Sequence, residues 1–239
     1  MATVDDPFFE PYDREDIAYG KVPSGPLVDY LAQVSLDGRR ALDLGAGAGR
    51  DTLALAKAGF QVTAVDLSPR GTERIQQRAA SEGLADQVTT HVANVCDFEI
   101  EPNHFDVICA TTVLDHIGAD EASSVWGRIV KGLTPTGMLY VEVHSTEDPG
   151  SDKIPGSESN APASETADAV INYFRPNQLA SWALEAEPRL RLLHYAERLE
   201  WDYTHGAEHL HGKAILLAVR EGHHPSWYGS PAAFTRREK

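Results

Sequence analysis

From residue 39 onward, short apolar runs alternate with longer amphipathic stretches, a pattern that predicts strands and helices in turn. "RRALDLGAG" reads as a buried strand ending in a turn, and "RDTLALAKAG" as a helix stopped by Gly59. "FQVTAVDLS" predicts a second strand. Ser68-Pro69 then opens a helix to about Glu82, with so few apolar positions that it belongs on the surface. "QVTTHVANV" and "FDVICATTV" predict strands three and four, and "ADEASSVWGRIVKGL" a helix. Pro135-Thr136-Gly137 predicts a turn into a fifth strand, "MLYVEVH". Later, "RLRLLHYAERLEWDY" and "KAILLAVRE" are strand-like, and the short "THGAEHLHG" between them leaves no room for a helix. Those two strands are expected to pair antiparallel.

The expected fold is therefore α/β: a Rossmann-like, doubly wound, seven-stranded sheet, mostly parallel with an antiparallel last strand. Residues 1–38 read as an N-terminal cap segment and helix, residues 39–221 as the main domain, and residues 222–239 as a tail. Residues 145–170, rich in Ser, Pro, Gly and acid, read as an insertion, either idle on the surface or a flap over a site.

Composition narrows the class. Hydrophobic residues make up 42% of the chain, enough for a packed core. The net charge of −15, with basic residues scattered, would repel a polyphosphate backbone, so no nucleic-acid partner is expected. No apolar run is long enough for a membrane span, so no membrane partner is expected either. The N-terminus is acidic, without a signal-peptide pattern, and the two cysteines, Cys96 and Cys109, make no disulfide framework. A cytoplasmic location is the expectation. The pattern specifies no oligomeric state.

The chemistry starts in "ALDLGAGAGRD", residues 41–51, where a strand, glycines and a helix follow one another. Such a turn brings a ligand close to backbone and to free helix N–H groups. The dinucleotide fingerprint G-x-G-x-x-G fails in both frames, because the third position is Thr52 or Arg50. The spacing that does fit is acid-x-G-x-G-x-G, with Asp43, Gly45, Gly47 and Gly49. An acid before the glycines disfavours a pyrophosphate and suits a cationic ligand. Here the sequence resembles the class I S-adenosylmethionine (SAM)-dependent methyltransferases, over roughly residues 39–144. The resemblance implies SAM as cofactor, with Asp43, Gly45, Ala46, Gly47 and Arg50 shaping its methionine end. Asp66, followed by Leu67, would grip both ribose hydroxyls. Asn94 and Val95 would hold the adenine, with Asp97 as the alternative to Asn94, because the family usually has Asp there. Thr112, in "FDVICATTVLDHI", would lie near the methyl donor.

A closer similarity, to the tellurite-resistance and thiopurine-like branch, rests on "YGKVPSGPLVDYL", "GAGAGRDTLALAKAGFQVTAVDLSP" and "YFRPNQLASWA". It implies a small-molecule acceptor with a soft nucleophile, a thiol or a chalcogen oxyanion. On the acceptor side, His116, His205, His209 and His211 are the catalytic candidates, and Tyr12, Tyr19, Asp115 and Arg175 the substrate-binding ones. The three histidines of the 205–211 loop suit a metal, an anionic substrate or a base. A loop lacks the regular backbone that fixes a metal set, so no metal is expected. Two other classes stay open: a non-catalytic sensor or partner subunit that binds SAM or S-adenosylhomocysteine, and an NAD(P)-dependent oxidoreductase, which the missing third glycine disfavours.

Overall fold

The computed structural model describes residues 20–33, 39–151 and 161–224. Tyr12 and Tyr19 lie outside the described residues, as do positions 152–160 of the insertion and 225–239 of the tail.

Seven strands form one sheet: β1 (Arg40–Leu44), β2 (Gln61–Asp66), β3 (Val88–Val92), β4 (Phe105–Thr111), β5 (Leu133–His144), β6 (Leu190–Asp202) and β7 (His209–Arg220). Their spatial order is β3-β2-β1-β4-β5-β7-β6. Strands β1 to β5 pair in parallel, and β7 runs antiparallel to both β5 and β6. This is the expected sheet with its reversed last strand.

Helices cover both faces. Among the described residues they are α1 (Gly25–Leu31), α2 (Arg50–Lys57), α3 (Pro69–Ser81), α4 (Ala119–Gly132) and α5 (Gln178–Leu184). Strand alternation sorts the core into two layers. Leu42, Ile108, Leu139 and Leu216 pack with Val125 and Ile129 of α4 and Leu179 of α5. Their neighbours Ala41, Val107, Met138 and Ile215 pack with Leu27 and Tyr30 of α1 and Leu55 of α2. α3 begins as its sequence indicates: Pro69 occupies the first turn, and the Ser68 hydroxyl accepts from Gly71 N–H at 3.0 Å. Its apolar contribution is small, with Ile75 and Ala79 as its buried hydrophobics.

Two boundaries differ from expectation. The Pro135-Thr136-Gly137 turn is absorbed into β5 as an irregularity: Phe105 pairs with Leu133, but Val107 pairs with Met138, so the intervening residues arch out while the strand continues. β7 starts at His209, because the hairpin with β6 extends to the Asp202–His209 pair. His209 and His211 are therefore strand residues, and the connecting loop shrinks to residues 203–208.

Candidate active site

Parallel strands place all their carboxyl ends along one edge, and a cavity of about 500 Å³ opens there. Ligand pockets typically span about 300–1,000 Å³.

The glycine turn forms its floor. Gly45 has φ +65°, and a Cβ there would sit 2.3 Å from Val113 Cγ2; Gly49, at φ +86°, would strike Ile75 at 2.8 Å. Neither position tolerates a side chain. The turn is held from three sides: Ala46 N–H donates to Val65 O at 3.0 Å, Gly47 N–H to Asp66 Oδ2 at 2.7 Å, and Arg78 Nη1 to Ala48 O at 2.5 Å. Asp66, at the end of β2, also accepts from Ser68 N–H through Oδ1 at 2.7 Å. Burial raises its pKa, and the two backbone donors oppose that shift.

Beneath the turn, Asp43 is buried and accepts from the Thr52 hydroxyl at 2.5 Å. Burial, reinforced by the charge of Asp51, pushes its pKa up to about 7. Asp51 accepts from Thr111 at 2.8 Å and pairs with Arg50 at 3.4 Å. Thr112 has φ 51°, an outlier for a β-branched residue, with its N–H held by Glu142 O at 2.9 Å.

Past β3, Asn94 lies on the cavity wall and Asp97 does not. The Asn94 carboxamide oxygen accepts from Cys96 N–H at 2.9 Å. Arg128 of α4 clamps this loop by donating to Phe98 O, Val95 O and Cys96 O at 2.5, 3.1 and 2.8 Å.

This donor set suits SAM. Gly45 keeps the turn closed against Val113, and the carboxylates of Asp66, Asp43 and Asp51 on the cavity lining are of the type that accepts from a diol or faces a cation. Residues 41–137 match the family described as a methyltransferase domain. Residues 41–137 form a methyltransferase domain. It is an enzyme, and SAM is its cofactor.

The methyltransferase is 29% identical, over 168 residues and 69% of each chain, to a ubiquinone biosynthesis O-methyltransferase of Xanthomonas campestris pv. campestris. Its fold is similar to that of TehB from Haemophilus influenzae, with TM-score 0.66 and 19% identity over 91% of this chain and 67% of that one. It is also similar to the 1,6-didemethyltoxoflavin-N1-methyltransferase of Burkholderia thailandensis, whose structure holds S-adenosylhomocysteine. There the TM-score is 0.59 and the identity 22%, over 89% of this chain and 85% of that one.

At the other end of the cavity, the methyltransferase carries a cluster of imidazoles and carboxylates. Asp115 is fully buried and lies behind the wall, where it is hydrogen-bonded to His144. Its Oδ2 accepts from His144 N–H at 2.9 Å and from His144 Nδ1 at 2.5 Å. Burial raises the Asp115 pKa, but nearby His116 and the hydrogen bonds from His144 outweigh burial and hold it below the usual carboxylate range. His116 lines the cavity with Nδ1 2.9 Å from Ala169 O, its ring 5.8 Å from that of His144. His205 and His211 line the cavity, whereas His209 is buried behind them. Arg175 is exposed and stands outside the wall.

His144 and Asp148 escaped the sequence reading. His144 closes β5 at the edge where Asp66 closes β2, and that strand-end position was the available signal. Asp148 belongs to the 145–170 segment, whose described parts also furnish Ser164, Ala167 and Val170 to the wall.

Proposed function

We propose that the enzyme methylates a hydroxyl or thiol of a small molecule, with His144 as general base and Asp115 as its positioning residue. The observation that carries this reading is the Asp115–His144 pair at the cavity wall. With Nδ1–H given to the carboxylate, the lone pair of a neutral His144 ring resides on Nε2. Such a base has work to do only on an acceptor that bears a proton. A thiol stays within this reading. A chalcogen oxyanion, already carrying its free lone pair, gives the base no task. The name of the Xanthomonas campestris relative, an O-methyltransferase, supports a hydroxyl.

Bound SAM supplies an electrophilic methyl on sulfur. The chain's own contribution is to bind, align and exclude water. In this reading Asp66 holds the ribose, and Leu67, Asn94 and Val95 flank the adenine. Gly45, Ala46 and Gly47 make room for the methionine end, where Asp43 and Arg50 meet its ammonium and carboxylate, with Thr112 beside it. Exposed Trp201 and Tyr203, with rings 6.4 Å apart in a stacked arrangement, sit on the rim and suit an acceptor with an apolar body.

The test is a panel of phenols, catechols, aliphatic thiols, selenite and tellurite incubated with methyl-labelled SAM, for wild type and His144→Gln. Phenols, catechols or thiols should be methylated, and the variant should lose about 10²–10⁴-fold in kcat with SAM affinity preserved. Turnover confined to selenite or tellurite, or equal kcat in both proteins, would sink the assignment.

A further inference from the structure

The three imidazoles around the turn from β6 to β7 do something the base does not require. His209 and His211 are two residues apart on one strand, so they share a face, and both are buried. His209 Nδ1 lies 2.7 Å from the Ala207 carbonyl oxygen, which can only accept, so Nδ1 carries the proton. His211 Nδ1 lies 3.0 Å from Asp148 Oδ2 and is the donor for the same reason. In neutral rings both lone pairs then belong to Nε2, and these two nitrogens face each other at 3.0 Å. Two lone pairs at that separation repel unless a cation stands between them.

A shared proton would reconcile two rings only. The surroundings supply more: one nitrogen from each of His205, His209 and His211 lies within 4.8 Å of the others, and Asp202 Oδ2 is 3.8 Å from His211 Nε2. Outer N–H groups tied to a carbonyl and a carboxylate are also how metal-binding histidines are oriented. We propose that His205, His209 and His211 bind a divalent transition ion of the zinc type, with Asp202 as a fourth donor. Imidazole favours such ions over magnesium or calcium. A tetrahedral zinc with nitrogens at about 2.0–2.1 Å separates neighbouring ligands by about 3.3 Å, a few tenths of an ångström beyond the Nε2 pair. The regular backbone missing from a loop is present after all, because β7 holds two of the three rings.

His205 and His211 line the cavity, so the ion faces the acceptor. Given the protic acceptor proposed above, it would take that acceptor's oxygen or sulfur and favour its anion.

The test strips the full-length protein with a chelator, equilibrates it with zinc, removes free metal by gel filtration and measures zinc per chain. Cobalt(II) replaces zinc in a parallel sample for its visible spectrum. Wild type should retain about one zinc per chain, and its cobalt form should show the intense bands of a tetrahedral site. His205→Ala, at the cavity edge, and the buried His209→Gln should each retain at least tenfold less, with SAM binding intact as the check on folding. Wild type retaining no more zinc than His205→Ala overturns the site. So does zinc lost only when His223 and His224 are replaced, since that places it on the tail. Zinc bound as expected without methylation of any hydroxyl or thiol would overturn the acceptor reading and leave the metal site standing.

Discussion

At the residue scale, Asp66 and Asp43 show how one burial serves two ends. Asp66 accepts from Gly47 N–H and Ser68 N–H, so it shapes the glycine turn, and the proposed function also gives it the ribose diol. Asp66→Asn should weaken SAM binding by about ten- to a hundredfold, equivalent to roughly 1.5–3 kcal/mol, as read by calorimetry. Undiminished affinity would remove Asp66 from the site. Asp43 makes a different prediction. With its pKa pushed up to about 7, much of it is protonated at neutral pH. A cation arriving beside it favours the carboxylate, so SAM binding should release a proton and tighten as pH rises. Below pH 7 the affinity should fall by up to about tenfold per pH unit. Titrations in buffers of different ionisation enthalpy count the released proton, and Asp43→Asn should abolish the release.

At the scale of elements, β1 to β5 and their helices were legible because their apolar periods are long and their stops explicit. Gly59 follows α2 and Ser68-Pro69 opens α3, as read. The β6–β7 hairpin was legible as a pair but not in its length. "THGAEHLHG" has the polar composition of a loop, yet cross-strand hydrogen bonding with β6 recruits His209 to Gly212 into β7. The pairing of Asp115 with His144 was illegible for a related reason. It joins the segment after β4 to the end of β5, a contact set by sheet register that nearness in sequence does not reveal. The glycine turn, by contrast, carries its geometry in the residue types themselves.

Asp148 ties the 145–170 segment to β7. Its carboxylate accepts from Gly150 N–H at 2.7 Å, and from Gly212 N–H and His211 Nδ1 at 3.0 Å each. Gly212 has no room for a Cβ, which would lie 2.3 Å from Asp148 N. The segment and the strand are in backbone contact. Asp148→Ala strands those donors in a buried setting and should cost roughly 1.5–3 kcal/mol of stability, measured by urea unfolding. A loss below about 0.5 kcal/mol, the range of ordinary surface changes, would mean the segment is not anchored there.

At the scale of the whole molecule, the sheet divides the labour of the site. The strands on one side of β4 carry the features that suit SAM, and β5 to β7 with the β6–β7 loop carry His144, His205, His211 and the aromatic rim. Among the described residues, no helix is long and apolar enough to cross a membrane. The position of β7 has a consequence for biosynthesis. Val141 in β5 pairs with Leu216, and among the described residues β7 is the one strand paired with β6. During translation β5 and β6 must therefore wait, each with an open edge, until β7 leaves the ribosome. Non-local pairings of this kind form late and slowly. For that interval the nascent chain offers His144 and the unpaired edges of β5 and β6 to whatever chaperone or neighbouring chain reaches them first.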